Sequence, residues 1–490
     1  MEQFHSSDIR NFAIVGHGAS GKTSLAEAIL MLGGEINRLG TIEDGSTASD
    51  YHPAERARKI SIHSTPLHIE WESKKFNIID TPGYSDFIGE ALGSLSVVDS
   101  AVITIHASNG IEVCTEAMWD NATKLGIPKM LVINGLDREH TKFDEILTKA
   151  KKRFGENVFP MQIPVNPGLG YNQNIDVLRN ELITYKNDKS GKMEESVLPE
   201  KYQKEVKKLH EGLIEYVAES NDQLLEKFFE KGGLTEEEMR EGIHKAIQDQ
   251  TFIPLFCTSA TSNIGVRRLC DFIAKYGSSP DDRKVVIAHD KNGNNIQVSL
   301  DGEETVLQIF KTISESHMGE LSLFRIYSGN VKTGMDYYNS NRSINERFGQ
   351  MFLLNGKIKT QAQQLFAGDI AGVVKLKDTH TGNTLCSGNH VTLPKLDLPS
   401  PNIHSAIVSN SKGDEEKLAV GLATLHEEDP TFEYRVDNEV KQTIISGQGE
   451  LHLTVTRERL ERRFGISIDL ENVKVPFRET ITEKGHAKYR

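Results

Sequence analysis

The chain has 490 residues, of which 37% are hydrophobic and 26% charged, and its formal net charge is −13. A chain of this length is expected to divide into about three domains. Its negative charge argues against a uniformly basic surface for nucleic acid, although it does not exclude a local basic face. Four scattered cysteines without paired ligand spacing disfavour a zinc site. Because no signal pattern and no apolar run of about 18 residues is present, we expect a cytoplasmic protein without a membrane span.

The first predicted strand, at 12–15, leads through a glycine-bounded loop into a helix. The loop has the spacing G-x-x-x-x-G-K-T of a phosphate-binding loop, although glycine-rich turns before helices also serve as plain connections. Its glycines let backbone N–H groups approach phosphates, and the start of the helix adds its positive dipole end. Lys22 is expected to neutralise the outer phosphates, and Thr23 to offer its hydroxyl to Mg²⁺. The predicted nucleotide contacts here are Gly16, His17, Gly18, Ala19, Ser20, Gly21, Lys22, Thr23 and Ser24.

Three further apolar runs, at 76–79, 101–105 and 130–133, predict a mostly parallel sheet with ligand-binding loops at the carboxyl ends of its strands. The run at 76–79 is followed by Asp-Thr-Pro-Gly. We expect Asp80 to hold Mg²⁺ through water and the Gly83 N–H to meet the terminal phosphate. This loop would then move when that phosphate leaves.

The run at 130–133 is followed by Asn-Gly-Leu-Asp. The Asp137 carboxylate can accept from the N1–H and the 2-amino group of guanine together. Adenine offers neither donor and would leave the carboxylate unpaired, at a loss on the order of a few kcal/mol. Thr258-Ser259-Ala260, at another predicted strand end, is expected to supply a backbone N–H to the guanine carbonyl. The predicted guanine contacts are Asn134, Gly135, Asp137, Arg138, Ser259 and Ala260. All four motifs in order predict a guanine-nucleotide switch that binds GTP or GDP, and Asp137 disfavours an unrelated ATPase.

The segment at about 155–250 is polar, rich in lysine and glutamate, and helical in period. Thr235 and Glu238 have the spacing of a capping box, which predicts a helix with Met239, Ile243 and Ile247 on its inner face. We interpret the segment as a solvated helical insert packed on the parent domain. A partner-binding surface is the alternative.

The remainder of the chain changes character twice. Residues 276–280 predict a linker, and the glycine-punctuated strands of 295–395 have the rhythm of a small β-barrel. Residues 398–401 predict a second hinge, followed by a βαβ-like module with helices at 415–426 and 449–464. Three arginines lie off the apolar stripe of the last helix, either as a solvated face or as contacts for RNA phosphate: Arg459, Arg462 and Arg463.

Taken together, these motifs resemble those of elongation factor G and its close relatives, the translational GTPases that act on the ribosome. Residues 55–62 are similar to the family's first switch, 80–87 to its second switch, and 446–453 to a characteristic segment of its third domain. The resemblance implies a multidomain fold. An α/β P-loop GTPase domain (1–285, with a helical insert at about 155–253) is followed by a β-barrel domain (286–398) and a small α+β, ferredoxin-like domain (399–481). Residues 482–490 would begin a fourth domain, so we interpret the chain as truncated there.

Several positions depart from the family pattern. Tyr84 stands where the family has a histidine that positions the attacking water, and a phenol cannot become cationic near neutral pH. Gly135 replaces a lysine that stacks on the base, Ala19 replaces an aspartate common among relatives, and Lys59 replaces a glycine. Ser61 replaces a threonine and retains the hydroxyl for Mg²⁺. Relatives described as second paralogues, similar to elongation factor G, carry similar changes. We interpret the chain as one of these paralogues.

The leading hypothesis is a GTPase that acts on the ribosome in translocation, with hydrolysis reduced by Tyr84. The resemblance implies Lys22, Gly83 and Tyr84 as catalytic residues, and Thr23, Ser61 and Asp80 as Mg²⁺ ligands. Its partners would be ribosomal RNA and proteins, and the chain itself would be a monomer. Two alternatives stay open: a GTP-gated ribosome-binding module that does not hydrolyse, and a ribosomal protection or release-factor GTPase.

Overall fold

A computed structural model of the chain describes residues 4–315, 318–409 and 413–490. The chain forms two compact units, Met1–Leu398 and Pro399–Arg490. The boundary between them falls within the segment at 398–401 that the prolines predict as a hinge. In the described part of the chain, no helix has both the length and the apolar composition that crossing a bilayer requires.

The first part of unit Met1–Leu398 is built on a mostly parallel sheet. The strands are β1 (Ile9–Gly16), β2 (Thr65–Trp71), β3 (Lys74–Asp80), β4 (Ser100–His106), β5 (Lys129–Asn134), β6 (Val158–Pro160), β7 (Gln162–Pro164), β8 (Gln173–Asp176), β9 (Glu181–Tyr185), β10 (Met193–Val197) and β11 (Ile253–Thr258). The helices are α1 (Lys22–Leu32), α2 (Pro53–Arg58), α3 (Ile88–Leu95), α4 (Val113–Lys124), α5 (Phe143–Phe154), α6 (Glu200–Ala218), α7 (Asp222–Lys231), α8 (Glu236–Gln248) and α9 (Val266–Tyr276). The main sheet has the order β2-β3-β1-β4-β5-β11-β6, in which β2 pairs antiparallel with β3. The four strands predicted at 12–15, 76–79, 101–105 and 130–133 are confirmed as the centres of β1, β3, β4 and β5.

Both faces of this sheet are covered by helices. In β1, Ala13 and Val15 face a core shared with α3, α4 and α5, whereas Phe12 and Ile14 face a core shared with α1 and α9. A strand buried on both faces requires a continuous apolar run, which is why the sequence at 12–15 identifies it. The carboxyl ends of the parallel strands then lie at one edge of the sheet, where the predicted motifs begin.

The prediction of an all-helical insert is wrong for its first half. Residues from Gln162 to Val197 form a four-stranded antiparallel sheet in the order β10-β9-β8-β7, and only α6, α7 and α8 follow the predicted helical period. These strands have three to five residues each, too few to establish a periodicity in the sequence, and β10 exposes most of its side chains. The capping box of Thr235 and Glu238 is confirmed, and Met239, Ile243 and Ile247 are buried.

The prediction of a linker at 276–280 is also wrong, because this segment is buried. Ser279 caps a short 3₁₀ helix that starts at Pro280, and its N–H donates to the Asp282 carboxylate (N–Oδ2 2.7 Å). Pro280 packs so closely on Gly368 of the following β-rich part that a Cβ at Gly368 would lie 2.6 Å from its Cγ. A sequence rich in serine, glycine and proline therefore forms a packed turn here.

The second part of this unit is β-rich, as predicted. Its strands are β12 (Val285–His289), β13 (Asn295–Ser299), β14 (Val306–Glu315), β15 (Gly319–Ser328), β16 (Asn330–Lys332), β17 (Asp336–Asn339), β18 (Ile344–Arg347), β19 (Met351–Asn355), β20 (Ile358–Ala362), β21 (Gln364–Phe366), β22 (Ile370–Val374) and β23 (Thr384–Cys386). Eight of them form an antiparallel sheet in the order β18-β17-β23-β14-β15-β22-β19-β20. Two buried ion pairs connect this part to the parallel sheet: Lys75–Asp369 (Nζ–Oδ2 2.7 Å) and Arg325–Asp99 (Nη2–Oδ1 2.7 Å).

Unit Pro399–Arg490 is a small α+β fold. Its elements are β24 (Ile403–Ser409), α10 (Glu415–Glu428), β25 (Glu433–Asp437), β26 (Gln442–Gly447), α11 (Glu450–Arg459), with a π-helical continuation at Leu460–Phe464, and β27 (Ile468–Glu471). The sheet order β25-β26-β24-β27 and the βαββαβ sequence give a ferredoxin-like topology. Leu453 and Leu460 are buried on the predicted stripe with Phe464 against them. Of the three arginines off this stripe, Arg463 pairs with Glu428 (Nη1–Oε1 2.5 Å).

Candidate functional site

The predicted motifs surround one cavity of about 670 Å³ at the carboxyl edge of the parallel sheet. The predicted residues that line it are Gly18, Ala19, Gly21, Lys22, Thr23, Ser24, Ser61, Gly83, Tyr84, Arg138 and Ala260. Asn134 and Asp137 do not line the cavity themselves. They accept hydrogen bonds from two residues that do, Ala260 and Thr261 respectively. Tertiary folding thus brings together residues that are more than 200 positions apart in the sequence.

Two glycines of the loop are required by its geometry. Gly16 has φ +141°, and a Cβ there would lie 2.5 Å from the Thr104 carbonyl oxygen. Gly21 has φ +88°, and a Cβ there would overlap the Asn134 side-chain amide. Because α1 begins at Lys22, directly after Gly21, the loop delivers the helix N-terminus to the cavity.

Lys22 lies inside the loop, where its side chain is buried. Its ammonium donates to the carbonyl oxygens of Gly16 (3.2 Å) and His17 (2.8 Å), and the His17 carbonyl also accepts from the Ser20 hydroxyl (2.8 Å). Burial lowers the pKa of Lys22 to about 8, while the nearby Asp80 carboxylate opposes the shift. A cation is therefore held at the centre of a ring of backbone groups, where phosphate oxygens would find both charge and donors.

A group of hydroxyls and carboxylates lies beside Lys22. The Thr23 and Ser61 hydroxyl oxygens are 3.2 Å apart. Burial raises the pKa of Asp80 to about 7, and the nearby Asp50 carboxylate adds to the shift. Among the described residues, neither Asp80 oxygen has a hydrogen-bond partner, and neither does Asp50 Oδ2. Oxygen donors of this kind fit Mg²⁺, so the predicted set of Thr23, Ser61 and Asp80 is compatible with that ion.

Asp50 is a residue that sequence reasoning missed. It is 4% exposed, and burial raises the pKa of its carboxyl group. Asp50 belongs to a polar segment without hydrophobic period, and it lies eleven positions before Ser61, so its approach to Asp80 depends on the path of the intervening chain. We expect Asp50 to act beside Asp80 in the predicted Mg²⁺ site.

Replacing Asp80 is expected to stabilise the nucleotide-free protein while impairing the predicted Mg²⁺ site. The folded protein keeps the Asp80 proton up to about pH 7, whereas the unfolded chain releases it near pH 4. The free energy of unfolding therefore falls as pH rises from about 4 to 7, and Asp80→Asn removes this loss. We expect the melting temperature of the variant to exceed that of the unaltered protein by more at pH 8 than at pH 5. Each kcal/mol of difference in the free energy of unfolding corresponds to a shift of about 2–4 °C. Parallel pH profiles of melting temperature would contradict this.

At the other end of the cavity, Asn134 joins the phosphate loop to the loop after β11. Its Nδ2 donates to the Ser20 carbonyl (3.1 Å), and its Oδ1 accepts from the Ala260 N–H (2.9 Å). Asp137 Oδ2 accepts from the Ser262 hydroxyl (3.0 Å), whereas Oδ1 is buried without a partner among the described residues. One carboxylate oxygen is thus held in place, and the other is buried without a donor among the described residues.

Two expected backbone donors are engaged within the protein. The Ala260 N–H donates to Asn134, as above, and the Ser259 N–H donates to the Ile264 carbonyl (3.0 Å). These bonds shape the loop after β11, so the role of both residues toward a guanine carbonyl stays a prediction.

Arg138 lies beside the space that Gly135 leaves. Gly135 has φ +84°, and the nearest atoms to a Cβ at this position would be Arg138 Cδ and Nε and His106 Nε2, each 3.8 Å away. Because Arg138 lines the cavity, its guanidinium is available to cover a bound base from this side.

Tyr84 lies on the phosphate loop. Its ring is so close to Gly18 that a Cβ there would be 2.9 Å from Tyr84 Cζ, although Tyr84 is 38% exposed. The Tyr84 ring therefore occupies the space that a side chain at position 18 would fill.

This contact predicts coupling between the two positions. Gly18→Val is expected to displace the Tyr84 ring and to lower stability by about 1 kcal/mol, because overpacking forces side chains out of place. In a Tyr84→Ala background the same substitution should lower stability by markedly less. Melting temperatures of the four proteins in this double-mutant cycle measure the coupling. An equal loss of stability from Gly18→Val in both backgrounds would show that the position of the Tyr84 ring does not depend on Gly18.

Glu27, also missed by sequence reasoning, connects α1 to the segment that covers the cavity. It is 2% exposed and accepts from the backbone N–H groups of Gly40 (2.8 Å) and Ala48 (2.5 Å). Burial raises the pKa of its carboxyl group, and these two bonds oppose the shift. Its position after the phosphate loop is visible in the sequence, but its distant partners are not.

The parallel sheet, the phosphate loop and the Asn-Gly-Leu-Asp segment at adjacent strand ends are those of a P-loop protein of the guanine-nucleotide-binding class. A family model described as "Elongation factor Tu GTP binding domain" matches residues 7–279, more than half of the chain. Models for "Elongation factor G domain 2" and "Elongation Factor G, domain III" match residues 305–388 and 398–472. The chain belongs to the elongation factor G family of translational GTPases.

A solved structure is similar over nearly the whole chain. The crystal structure of ttk003000868 from Thermus thermophilus superposes with a TM-score of 0.87 at 29% sequence identity. The alignment covers 96% of this chain and 68% of that one. The likeness therefore includes both units described above.

Proposed function

We propose that this protein is a ribosome-dependent GTPase of translation elongation that acts in translocation with reduced hydrolysis. The observation that carries the proposal is one cavity lined by the phosphate loop, Gly83 and the loop after β11, with Tyr84 at the position facing the phosphate loop. Its partners are GTP, GDP and the RNA and proteins of the ribosome, and it works as a cytoplasmic monomer. The family membership supports the ribosome as partner.

In this proposal each group has a defined task. Lys22 and the Gly83 N–H bind the β- and γ-phosphates, and loss of the γ-phosphate releases the Gly83 loop. Thr23, Ser61 and Asp80 hold Mg²⁺, which neutralises charge that develops on the phosphate oxygens. At the base end, Asp137 selects guanine, while Asn134, Ser259 and Ala260 shape the loops that hold the base.

Tyr84 sets the hydrolysis rate. Its phenol can donate one hydrogen bond to orient a water, but it carries no positive charge at neutral pH to stabilise the anionic transition state. Its position on Gly18 keeps it beside the phosphate loop. The departures at positions 19, 59, 84 and 135 further support a second, elongation-factor-G-like paralogue.

The test is GTP turnover with saturating ribosomes. Tyr84→His is expected to raise single-turnover phosphate release by about tenfold or more, since positioned general-base or electrostatic groups contribute about 10²–10⁴-fold in rate. Because Gly18 has no side chain, the smaller histidine ring fits in the space that the tyrosine ring occupies, and we expect the Tyr84→His variant to fold normally. Equal rates for the two proteins would contradict impaired hydrolysis.

A second candidate function is a GTP-gated ribosome-binding module that never hydrolyses. Tyr84 favours it, together with the loss of charged groups at Ala19 and Gly135. In the same single-turnover experiment, any ribosome-stimulated phosphate release by the unaltered protein excludes this module. GTP-dependent ribosome binding without release supports it.

A further inference from the structure

A turn of the insert reaches the nucleotide cavity. This turn, residues 186–192, connects β9 to β10, and its Asp188 and Lys189 line the cavity together with Arg138 and Thr261. The insert is therefore more than a solvated surface of the domain. Its turn forms part of the wall at the base end of the cavity.

The turn is docked firmly at this place. Asn263 Nδ2 donates to the Lys189 carbonyl (3.3 Å), and the Lys186 N–H donates to the Lys192 carbonyl (2.9 Å). At Gly191, with φ +70°, a Cβ would lie 2.7 Å from Leu32 Cδ2 at the end of α1. The left-handed φ favours glycine here, and the turn packs against α1 and the loop after β11.

The same short loop holds both the turn and the base-selecting carboxylate. Thr261 and Ser262 donate to Asp137 Oδ2 (3.4 and 3.0 Å), and Asn263, the next residue, donates to Lys189. The phosphate end of the cavity, with Lys22 and Tyr84, is formed by other elements. Lys189 is thus placed at the nucleoside end of the site.

The Lys189 ammonium is exposed and forms no ion pair among the residues that the structure describes. The side chain offers three donors on a long flexible stem, and the nucleoside offers acceptors in its ribose hydroxyls and base carbonyl. We propose, on the basis of the proposed function, that Lys189 contacts the nucleoside of bound GDP or GTP. Nucleotide binding then adds a contact to the docked turn, so that the turn opens less often and its amides exchange more slowly.

The experiment compares GDP affinity by calorimetry, with Mg²⁺ present, for the unaltered full chain, Lys189→Ala and Lys192→Ala. Lys192 is an exposed lysine of the same turn that does not line the cavity, so it is the matched control. We expect Lys189→Ala to weaken GDP binding about three- to tenfold, within the range of a typical net hydrogen bond, and Lys192→Ala to change it less than about twofold. Hydrogen exchange should show GDP-dependent protection of 188–191.

The outcomes separate this inference from the proposed function. Tight GDP binding that is equally unaffected by both substitutions, without protection of the turn, overturns the role of Lys189 and leaves the proposed function standing. No GDP binding by the unaltered protein overturns both. Weaker GDP binding by Lys189→Ala with an unchanged melting temperature supports the contact, because misfolding would lower both the GDP affinity and the melting temperature.

Discussion

Asp137→Asn is expected to weaken GDP binding by about 100- to 1000-fold and to make xanthosine diphosphate the preferred ligand. Guanine presents two donors to the carboxylate, N1–H and the 2-amino group, and an amide turns one acceptor into a donor that faces the 2-amino group. The resulting unpaired buried groups cost on the order of 3–4 kcal/mol. Xanthine has a carbonyl in place of the 2-amino group and pairs with the amide. Calorimetric titration with both nucleotides measures the exchange of preference.

The structure supports this magnitude, because Asp137 has one oxygen held by Ser262 and one buried oxygen that awaits a donor. Glu139→Gln is a suitable control, since it removes one negative charge from an exposed position two residues away. The control should leave both affinities unchanged. If Asp137→Asn kept its preference for GDP, another residue would have to select the base.

Gly83→Ala is expected to weaken GTP binding by about 100-fold and GDP binding by less. A Cβ on Gly83 would lie 2.6 Å from the Gly18 backbone nitrogen and would also meet the Lys22 ammonium. The second-switch loop and the phosphate loop must then separate by about 1 Å, which is enough to cost about 10²-fold in a positioned site. GTP suffers more because Gly83 is proposed to bind the γ-phosphate. Affinities for a non-hydrolysable GTP analogue and for GDP test the difference.

Gly93→Ala provides the matched control within α3. A Cβ at Gly93 would meet nothing closer than the Phe310 carbonyl oxygen, 3.8 Å away. Since alanine favours a helix interior over glycine by up to about 1 kcal/mol, this variant should bind both nucleotides normally and melt slightly higher. Equal nucleotide affinities for the two alanine variants would rule out the close approach at Gly83.

Much of the site could be predicted because it is encoded locally. The run at 12–15, the glycines at 16 and 21 and the lysine at 22 are contiguous, and backbone geometry alone explains their spacing. The guanine motif after β5 is likewise a strand end followed by a short loop. In such segments a few neighbouring residues determine both the conformation and the chemistry.

Other parts depend on contacts between distant segments. The short strands β7 to β10 have no period long enough to detect, and the packed turn at 276–280 depends on Pro280 meeting Gly368. Asp50 and Glu27 are both buried, and Glu27 contacts Gly40 and Ala48 of the segment between α1 and α2. Burial of this kind changes the chemistry of a carboxyl group without changing its sequence neighbourhood.

Contiguous residues with a repeating or fixed spacing were enough to predict the parallel sheet, the phosphate loop, guanine-nucleotide binding and the family. The contact of Tyr84 with Gly18, the burial of Asp50 near Asp80 and the approach of the Lys189 turn to the cavity could be seen only in the folded protein. Close packing and desolvation depend on which distant surfaces meet, and no local spacing specifies that.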